Sequence, residues 1–412
     1  MGSKWQEASF AAMATLSRDS VRPEDAAGLP YIGLEHIGEG SLQLLGAGVA
    51  EDASSLKSRF REGDILFGKL RPYFRKVVRA PFNGICSTDI WVVRPRLGVD
   101  RDYLFYRMAS DGFLEPIVRA SEGTKMPRAK WEYAAGLAFQ LPSLDEQERI
   151  AGVLAALDDK IELNRRMADT LDEIAQTLFR LWFVEPAGHS WPSGGEGLPE
   201  GWTVERLGEH VDAVRGLSYS GGGLTDDANG LPMHNLNSVF EGGGYKRDGL
   251  KRYTGEYKER HKLGAGELVV TNTEQGFEFL LIGYPALIPR CFGEQGLFSH
   301  HLYRVRPKTR SPLTTTYLYW LLRDQRMHRV LAGFTNGTTV NMLPLDGLDM
   351  PKVLVPPGEM VQEFTDAVAP MQELRECLES ESDTLREIRD ALLPPLLDGR
   401  VEVPPAADQG VS

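Results

Sequence analysis

Apolar residues recur along this chain in two rhythms. In residues 1–142 and 187–356 they form short runs rich in β-branched and aromatic residues, set between Gly and Pro. Gly63-Asp64-Ile65-Leu66-Phe67, Asp89-Ile90-Trp91-Val92-Val93, Glu267-Leu268-Val269-Val270 and His301-Leu302-Tyr303-Arg304-Val305 are examples, and they predict strands bounded by turns. Asp102 to Phe113 and Thr314 to Val330 carry aromatic and leucine residues at three- and four-residue spacing, which predicts helices. Each of these segments therefore predicts an α+β domain.

Residues 143–186 and 357–412 keep the second rhythm. Ser143, three positions before Glu146, has the pattern of a capping box. Leu154, Leu157, Ile161, Asn164, Ala168, Leu171, Ala175 and Leu178 follow at alternating spacings of three and four. Met371, Leu374, Leu378, Glu381, Leu385, Ile388 and Leu392 do the same. Sustained spacing of this kind predicts a coiled-coil seam. A helix of ~40 residues, ~60 Å long at ~1.5 Å per residue, cannot bury its stripe alone. The expectation is that the two helices bury their stripes on each other, antiparallel, with Asn164 and Glu381 as polar seam positions that either fix register or turn to solvent at a frayed face.

The two rhythms repeat as a block. Gly123-Thr124, Leu141-Pro142, Leu157, Leu171, Ile174 and Leu178 recur in order at Gly337-Thr338, Val355-Pro356, Met371, Leu385, Ile388 and Leu392, each 214 residues later. A period this long marks a duplicated domain rather than a solenoid unit of ~20–50 residues. The organisation expected is a first domain at 1–142, a long helix at 143–186, a second domain at 187–356, and a second long helix with a tail at 357–412.

Composition is that of an ordinary globular protein, with 42% hydrophobic and 25% charged residues. No apolar stretch approaches the ~18 residues that span a bilayer, so no membrane role is expected. Three scattered cysteines, Cys86, Cys291 and Cys377, suit reduced thiols in the cytoplasm. The net charge of −12 disfavours nucleic acid until it is mapped. Residues 143–186 carry 5 basic and 10 acidic side chains, and residues 357–412 carry 4 and 13. The two domains are close to balance, with 19 against 17 and 18 against 18, and can present local basic patches.

Catalytic signatures are missing from the sequence. There is no phosphate-cradling GxxxxGK[ST], no GxGxxG opening a helix, and no Asn or Asp before Pro-Pro-Tyr or Pro-Pro-Phe. His300-His301 lacks metal-ligand spacing, and a strand would point adjacent histidines to opposite faces, so no metal site is expected. The residues speak for binding. Lys69, Arg71, Arg75 and Lys76 interleave with Tyr73 and Phe74 in a segment that Pro72 makes a turn, suited to DNA phosphates and a groove. The second domain has a comparable run containing Lys246, Arg247, Lys251 and Arg252. The Gly-Thr segments are further candidates. Thr124, Thr338 and Thr339 offer hydroxyls for phosphates or base edges, while Lys125 and Arg128 are suited to guanine acceptors and Asn336 and Asn341 to adenine. Two half-sites of different sequence could be read in this way. Phe179, Leu181, Trp182 and Phe183 end the first helix with more apolar surface than one seam needs, and are expected to dock another protein chain. A stand-alone enzyme and a purely structural coiled-coil adaptor remain open alternatives at this stage.

Longer strings resemble a known family, the specificity subunits of Type I restriction-modification systems. Tyr31-Ile32-Gly33-Leu34-Glu35-His36-Ile37, Gly63 through Tyr73, and Cys86-Ser87-Thr88-Asp89-Ile90 are similar to its first target recognition domain. Leu144 through Ala151, Leu157 through Arg166 and Leu178 through Phe183 are similar to its central helix. Leu198-Pro199-Glu200-Gly201-Trp202 is similar to the opening of a recognition domain, and Leu385 through Pro394 to the distal helix. The resemblance implies a non-catalytic subunit that binds a split sequence of double-stranded DNA. It implies recruitment of two methyltransferase subunits, which bring S-adenosylmethionine, and of motor-nuclease subunits. The chain itself would bind no cofactor. Some family members serve other defence systems, so the restriction partner stays open. The sequence departs from the pattern at Val270 through Gly276, the counterpart of the basic turn, which is not basic.

Overall fold

A computed structural model describes residues 5–405 apart from 122–124, 195–196, 220, 228, 276–277, 294 and 338–339. The chain divides into two compact units, one of Met1–Leu163 with Ser382–Ser412, the other of Asn164–Glu381.

The first unit holds a four-stranded sheet in the order Ala14–Leu16, Ile90–Pro95, Ile65–Gly68, Val77–Arg79. It also holds a five-stranded sheet in the order Ser20–Val21, Lys57–Phe60, Gly84–Cys86, Pro30–Ile32, Gly48–Val49. The four-stranded sheet is covered on both faces, which explains its unbroken apolar runs. Ile65, Phe67, Trp91 and Val93 pack with Tyr103, Leu104 and Phe113 of the helices Arg101–Ala109 and Asp111–Ala120. Leu66, Val78, Ile90 and Val92 face the other way, toward Ile32, Phe60 and Cys86 of the five-stranded sheet. The first helix starts where Asp100 Oδ1 accepts from Tyr103 N at 2.7 Å.

The second unit repeats this plan. Its four-stranded sheet runs Val211–Arg215, Leu302–Pro307, Leu268–Thr271, Pro285–Leu287, all antiparallel. Leu268, Val270, Tyr303 and Val305 pack with Tyr317, Leu318 and Trp320 of Thr315–Arg323, while Val269, Ala286 and Leu302 form a separate core behind them. Thr314 Oγ1 caps that helix on Tyr317 N at 3.1 Å. The duplication inferred from the 214-residue offset is thus a duplication of architecture.

Two long helices, Leu144–Phe179 and Gly358–Leu397, each contribute a segment to both units. Ser143 Oγ accepts from Glu146 N at 3.3 Å, but the reciprocal half of the capping box is absent: Glu146 Oε2 accepts from Trp5 Nε1 at 3.1 Å. Within the second unit, Asn164 Nδ2 donates to Glu381 Oε2 at 2.8 Å, and Arg375 Nη1 donates to Asp172 Oδ1 at 2.6 Å. Rising numbers on one helix meet falling numbers on the other, so the segments pair antiparallel. In the first unit Arg389 Nη1 donates to Asp158 Oδ1 at 2.7 Å, and Tyr106 Oη donates to Asp158 Oδ2 at 2.6 Å.

These ion pairs correct the expected seam. Ile161, Asn164 and Leu378 are buried as expected, and Leu157, Leu171, Leu178, Leu385 and Leu392 are half-buried. Leu374 and Ile388 are 46% and 43% exposed. Their neighbours Arg375 and Arg389 enter the packing instead, because Asp172 and Asp158 offer them carboxylates. The expected docking surface is corrected too. Phe179 and Phe183 are buried in the core of the second unit, with Phe183 4.9 Å from the Tyr317 ring and 5.1 Å from that of Phe364. Trp182 packs against the same cluster, and only Leu181 is exposed. The aromatic end of the helix anchors it to its own unit.

Candidate nucleic-acid interface

In the first unit the strand Ile65–Gly68 delivers the chain into a rigid turn. Arg71 and Arg75 both adopt the left-handed conformation, at φ 51° and 53°, and bracket a 3₁₀ turn at Pro72–Phe74. A non-glycine residue there costs roughly 1–2 kcal/mol, and such strain concentrates at functional sites. Arg71 N donates to Pro127 O at 2.8 Å, and Phe74 N to Arg71 O at 3.0 Å. The turn holds Tyr73 out at 47% exposure, and Arg71 Nε is buried with no hydrogen-bond partner. Arg75 pairs with Asp111 at 2.6 Å. Lys76 is corrected: its Nζ donates to Leu34 O at 2.8 Å and is mostly covered, so it fastens the turn to the body of the unit.

Behind the turn lies a backbone frame. Lys69 N donates to Asp89 O, and Ala129 N to Lys69 O, both at 2.9 Å. Leu70 and Arg128 form an antiparallel bridge. The frame places the Arg128 side chain, 49% exposed, beside Asp89. Arg128 Nε donates to Asp89 Oδ1 at 3.1 Å and Nη2 to Oδ2 at 3.4 Å, and these bonds raise the guanidinium pKa. Lys125 is exposed, while Thr124 lies outside the described residues.

The second unit builds the same frame from other side chains. Asn272 N donates to His301 O, and Leu343 N to Asn272 O, again both at 2.9 Å. Thr273 pairs with Met342 and Glu274 with Asn341. Lys69, Arg71, Asp89 and Arg128 therefore correspond to Asn272, Glu274, His301 and Met342. Glu274 inverts the role of Arg71. It is buried and accepts from Leu280 N, Leu281 N and Ile282 N at 2.9, 3.0 and 2.9 Å, tying its own loop inward. Asn341 is corrected, since it is 4% exposed and its side chain is not presented to a ligand. Asn336 is exposed; Thr338 and Thr339 lie outside the described residues. Gly337, at φ 139°, accepts no Cβ without collision with the Val340 carbonyl.

The basic run of the second unit is only partly free. Lys251 is exposed and Lys246 half-buried. Arg252 Nη1 donates to Gly230 O at 2.7 Å, and Arg247 is turned inward to Ser380 Oγ at 3.0 Å and Glu379 at 3.7 Å. His300 and His301 also differ from expectation. They occupy the turn before Leu302–Pro307, with ring centroids 3.9 Å apart, rather than opposite faces of a strand. Desolvation first, then His300 and Arg215, lower the His301 pKa and keep that ring neutral. Among the described residues no group of three or more His, Cys, Asp or Glu could hold a metal ion. Arg215 Nε donates to His300 O at 3.1 Å and supplies a cation to this edge.

Sequence reasoning missed Asp89, Arg215, Glu274 and His301. The shared frame was detectable by aligning Ser87 with Ser299, which places Asp89 against His301.

A separate apolar surface lies within the second unit. Met167, Ile174 and Leu374 are 39%, 42% and 46% exposed, and Met167, Leu171 and Leu374 line a shallow groove with Arg166 and Thr170. Among the described residues no helix is long and apolar enough to cross a membrane.

Known proteins resemble this chain. Residues 23–173 match the family described as the Type I restriction modification DNA specificity domain. The chain is 24% identical to the Type I restriction enzyme MjaIX specificity subunit of Methanocaldococcus jannaschii, over 93% of this chain and 86% of that protein. It is 31% identical to the HindI specificity subunit of Haemophilus influenzae over 31% of this chain and 29% of that protein. The crystal structure of the Type I restriction-modification system S subunit from M. genitalium shares the fold, with a TM-score of 0.60, 15% identity and 96% of each chain covered. The chain thus carries a match to the Type I restriction modification DNA specificity domain at residues 23–173 and is similar, nearly end to end, to a Type I restriction enzyme specificity subunit.

Proposed function

We propose that this chain recognises a bipartite, asymmetric sequence in double-stranded DNA and performs no chemistry itself. Two methyltransferase subunits carrying S-adenosylmethionine, and motor-nuclease subunits, join it in the cytoplasm to modify or cut. The observation that carries this reading is the duplicated frame with unlike side chains. Lys69, Asp89 and Arg128 stand in one unit where Asn272, His301 and Met342 stand in the other. Duplicated backbones suit two half-sites, and different side chains make the halves differ. Recruitment is supported by the groove at Met167, Leu171 and Leu374, because an exposed apolar patch on a long helix marks a protein interaction surface.

The test is a fluorescence-anisotropy titration of the full chain against randomised and selected duplexes at several salt concentrations. Tight binding to a split sequence, weakened by salt, is expected. Arg71→Ala should weaken binding to every sequence if Arg71 meets phosphate, or relax one base position if it meets a base. Binding that ignores sequence would sink the proposal.

A further inference from the structure

We propose that Arg128 reads a guanine in the half-site of the first unit, with Asp89 as its positioning residue. The corresponding point of the second unit lacks this reader. This inference rests on the DNA-binding reading above and assigns one of its base contacts.

The argument begins with the donors of the guanidinium, which has five N–H groups in a planar fork and no acceptor. Asp89 takes the Nε–H and one hydrogen of Nη2. Three donors remain, and two of them, one on Nη1 and one on Nη2, point in parallel from the free end. That pair matches the O6 and N7 acceptors on the major-groove edge of guanine, while adenine places a donor where O6 would be. Asp89 holds the fork in one plane before DNA arrives, which removes part of the ordering cost of a long side chain. The anchoring is by backbone, since Lys69 bonds to both Asp89 O and Ala129 N. The side chain is half exposed, and the Leu70–Arg128 bridge with the Arg71 N to Pro127 O bond puts its backbone next to the Tyr73 turn.

The second unit supplies an internal control. Met342 occupies the bridge position of Arg128, and His301 that of Asp89. Met342 has no donor, and the neutral His301 ring bonds through Nδ1 to Thr273 Oγ1 at 3.1 Å. Arg215, whose Nη2 lies 4.0 Å from the Met342 sulfur, leaves from a different strand and is tethered to the His300 carbonyl. A guanine demanded through Arg128 in one half-site therefore has no counterpart at the matching step of the other.

The experiment is selection of duplexes from a randomised library by the full chain, followed by affinity measurement on the enriched sequence and its single-base variants. The wild type should fix one guanine that Arg128→Ala and Arg128→Lys both release. Discrimination at that step should fall by roughly ten- to hundredfold while other positions keep theirs. Arg128→Lys keeps the charge but loses the fork, so it separates base reading from phosphate contact. Asp89→Asn should relax the same step in part. The paired change Met342→Arg with His301→Asp should create a guanine preference in the other half-site. A uniform loss of affinity in Arg128→Ala, with the salt slope reduced by about one and the Lys variant behaving as wild type, would assign Arg128 to phosphate and overturn the proposal. Release of a base other than guanine would overturn it too. Failure of the wild type to enrich any sequence would instead bring down the DNA-binding reading.

Discussion

Removing the Asp158 carboxylate should destabilise the first unit strongly. It accepts from Tyr106 Oη at 2.6 Å and Arg389 Nη1 at 2.7 Å, and the Arg389 side chain is only 3% exposed. Asp158→Ala strands a buried guanidinium and a buried hydroxyl together. Removing one member of a buried ion pair costs about 3–5 kcal/mol. Arg389 keeps a second partner, Asp390, through Nε at 2.9 Å, but that carboxylate is 62% exposed and compensates little. The lower end, about 3 kcal/mol, is the expectation. Removing both charges with Asp158→Ala and Arg389→Met leaves no buried unpaired ion, only the exposed Asp390, so the double variant should recover at least half of that loss. Urea unfolding with hydrogen exchange resolved over residues 144–163 and 382–397 follows this unit separately. A loss under about 0.5 kcal/mol in Asp158→Ala, the range of an ordinary surface change, would refute the reasoning. So would a double variant no more stable than the single one.

Three other outcomes are expected. Burial lowers the His234 pKa from 6.5 to about 4, and the ring bonds to Tyr245 Oη at 2.7 Å. Because the folded pKa lies below the unfolded one, stability is full above pH 6.5 and declines as pH falls toward 4. Between pH 7.5 and 5 the second unit should lose about 2 kcal/mol through this ring, a slope absent in His234→Gln when urea midpoints are compared. Glu274→Ala strips the acceptor from three backbone N–H groups and should cost about 3 kcal/mol, with faster exchange confined to residues 271–284; Glu274→Gln should cost less. Met167→Glu with Leu374→Glu alters only exposed side chains, so stability should hold within about 0.5 kcal/mol and DNA affinity should hold too, while co-purification with methyltransferase subunits is lost.

The strands were legible in the sequence because both faces of each four-stranded sheet are covered, which makes runs such as Ile65-Leu66-Phe67 and Leu268-Val269-Val270 apolar throughout. The long helices were legible for their spacing, but their phase was not. A hydrophobic pattern favours Leu374 over Arg375 and Ile388 over Arg389, since it registers apolar area and not a carboxylate on another helix. Phe179 and Phe183 misled for a related reason: the rings that bury them, Tyr317 and Phe364, lie far along the chain. At the interface the basic turn was visible as composition. The Asp89–Arg128 clamp was not, because its members are 39 residues apart and meet only through the Lys69 frame.

The first unit takes its residues from both ends of the polypeptide, whereas the second is one unbroken stretch, Asn164–Glu381. On the ribosome the order of completion is therefore reversed relative to the order of synthesis. The second unit has its whole sequence once Glu381 has emerged. The first must wait for Leu393, Leu396 and Leu397, which belong to its core, while Phe10 and Ile65 were made hundreds of residues before. A premature stop after Glu381 would spare the later-made unit and leave the earlier one with an open apolar seam, a species for chaperones and proteases to clear.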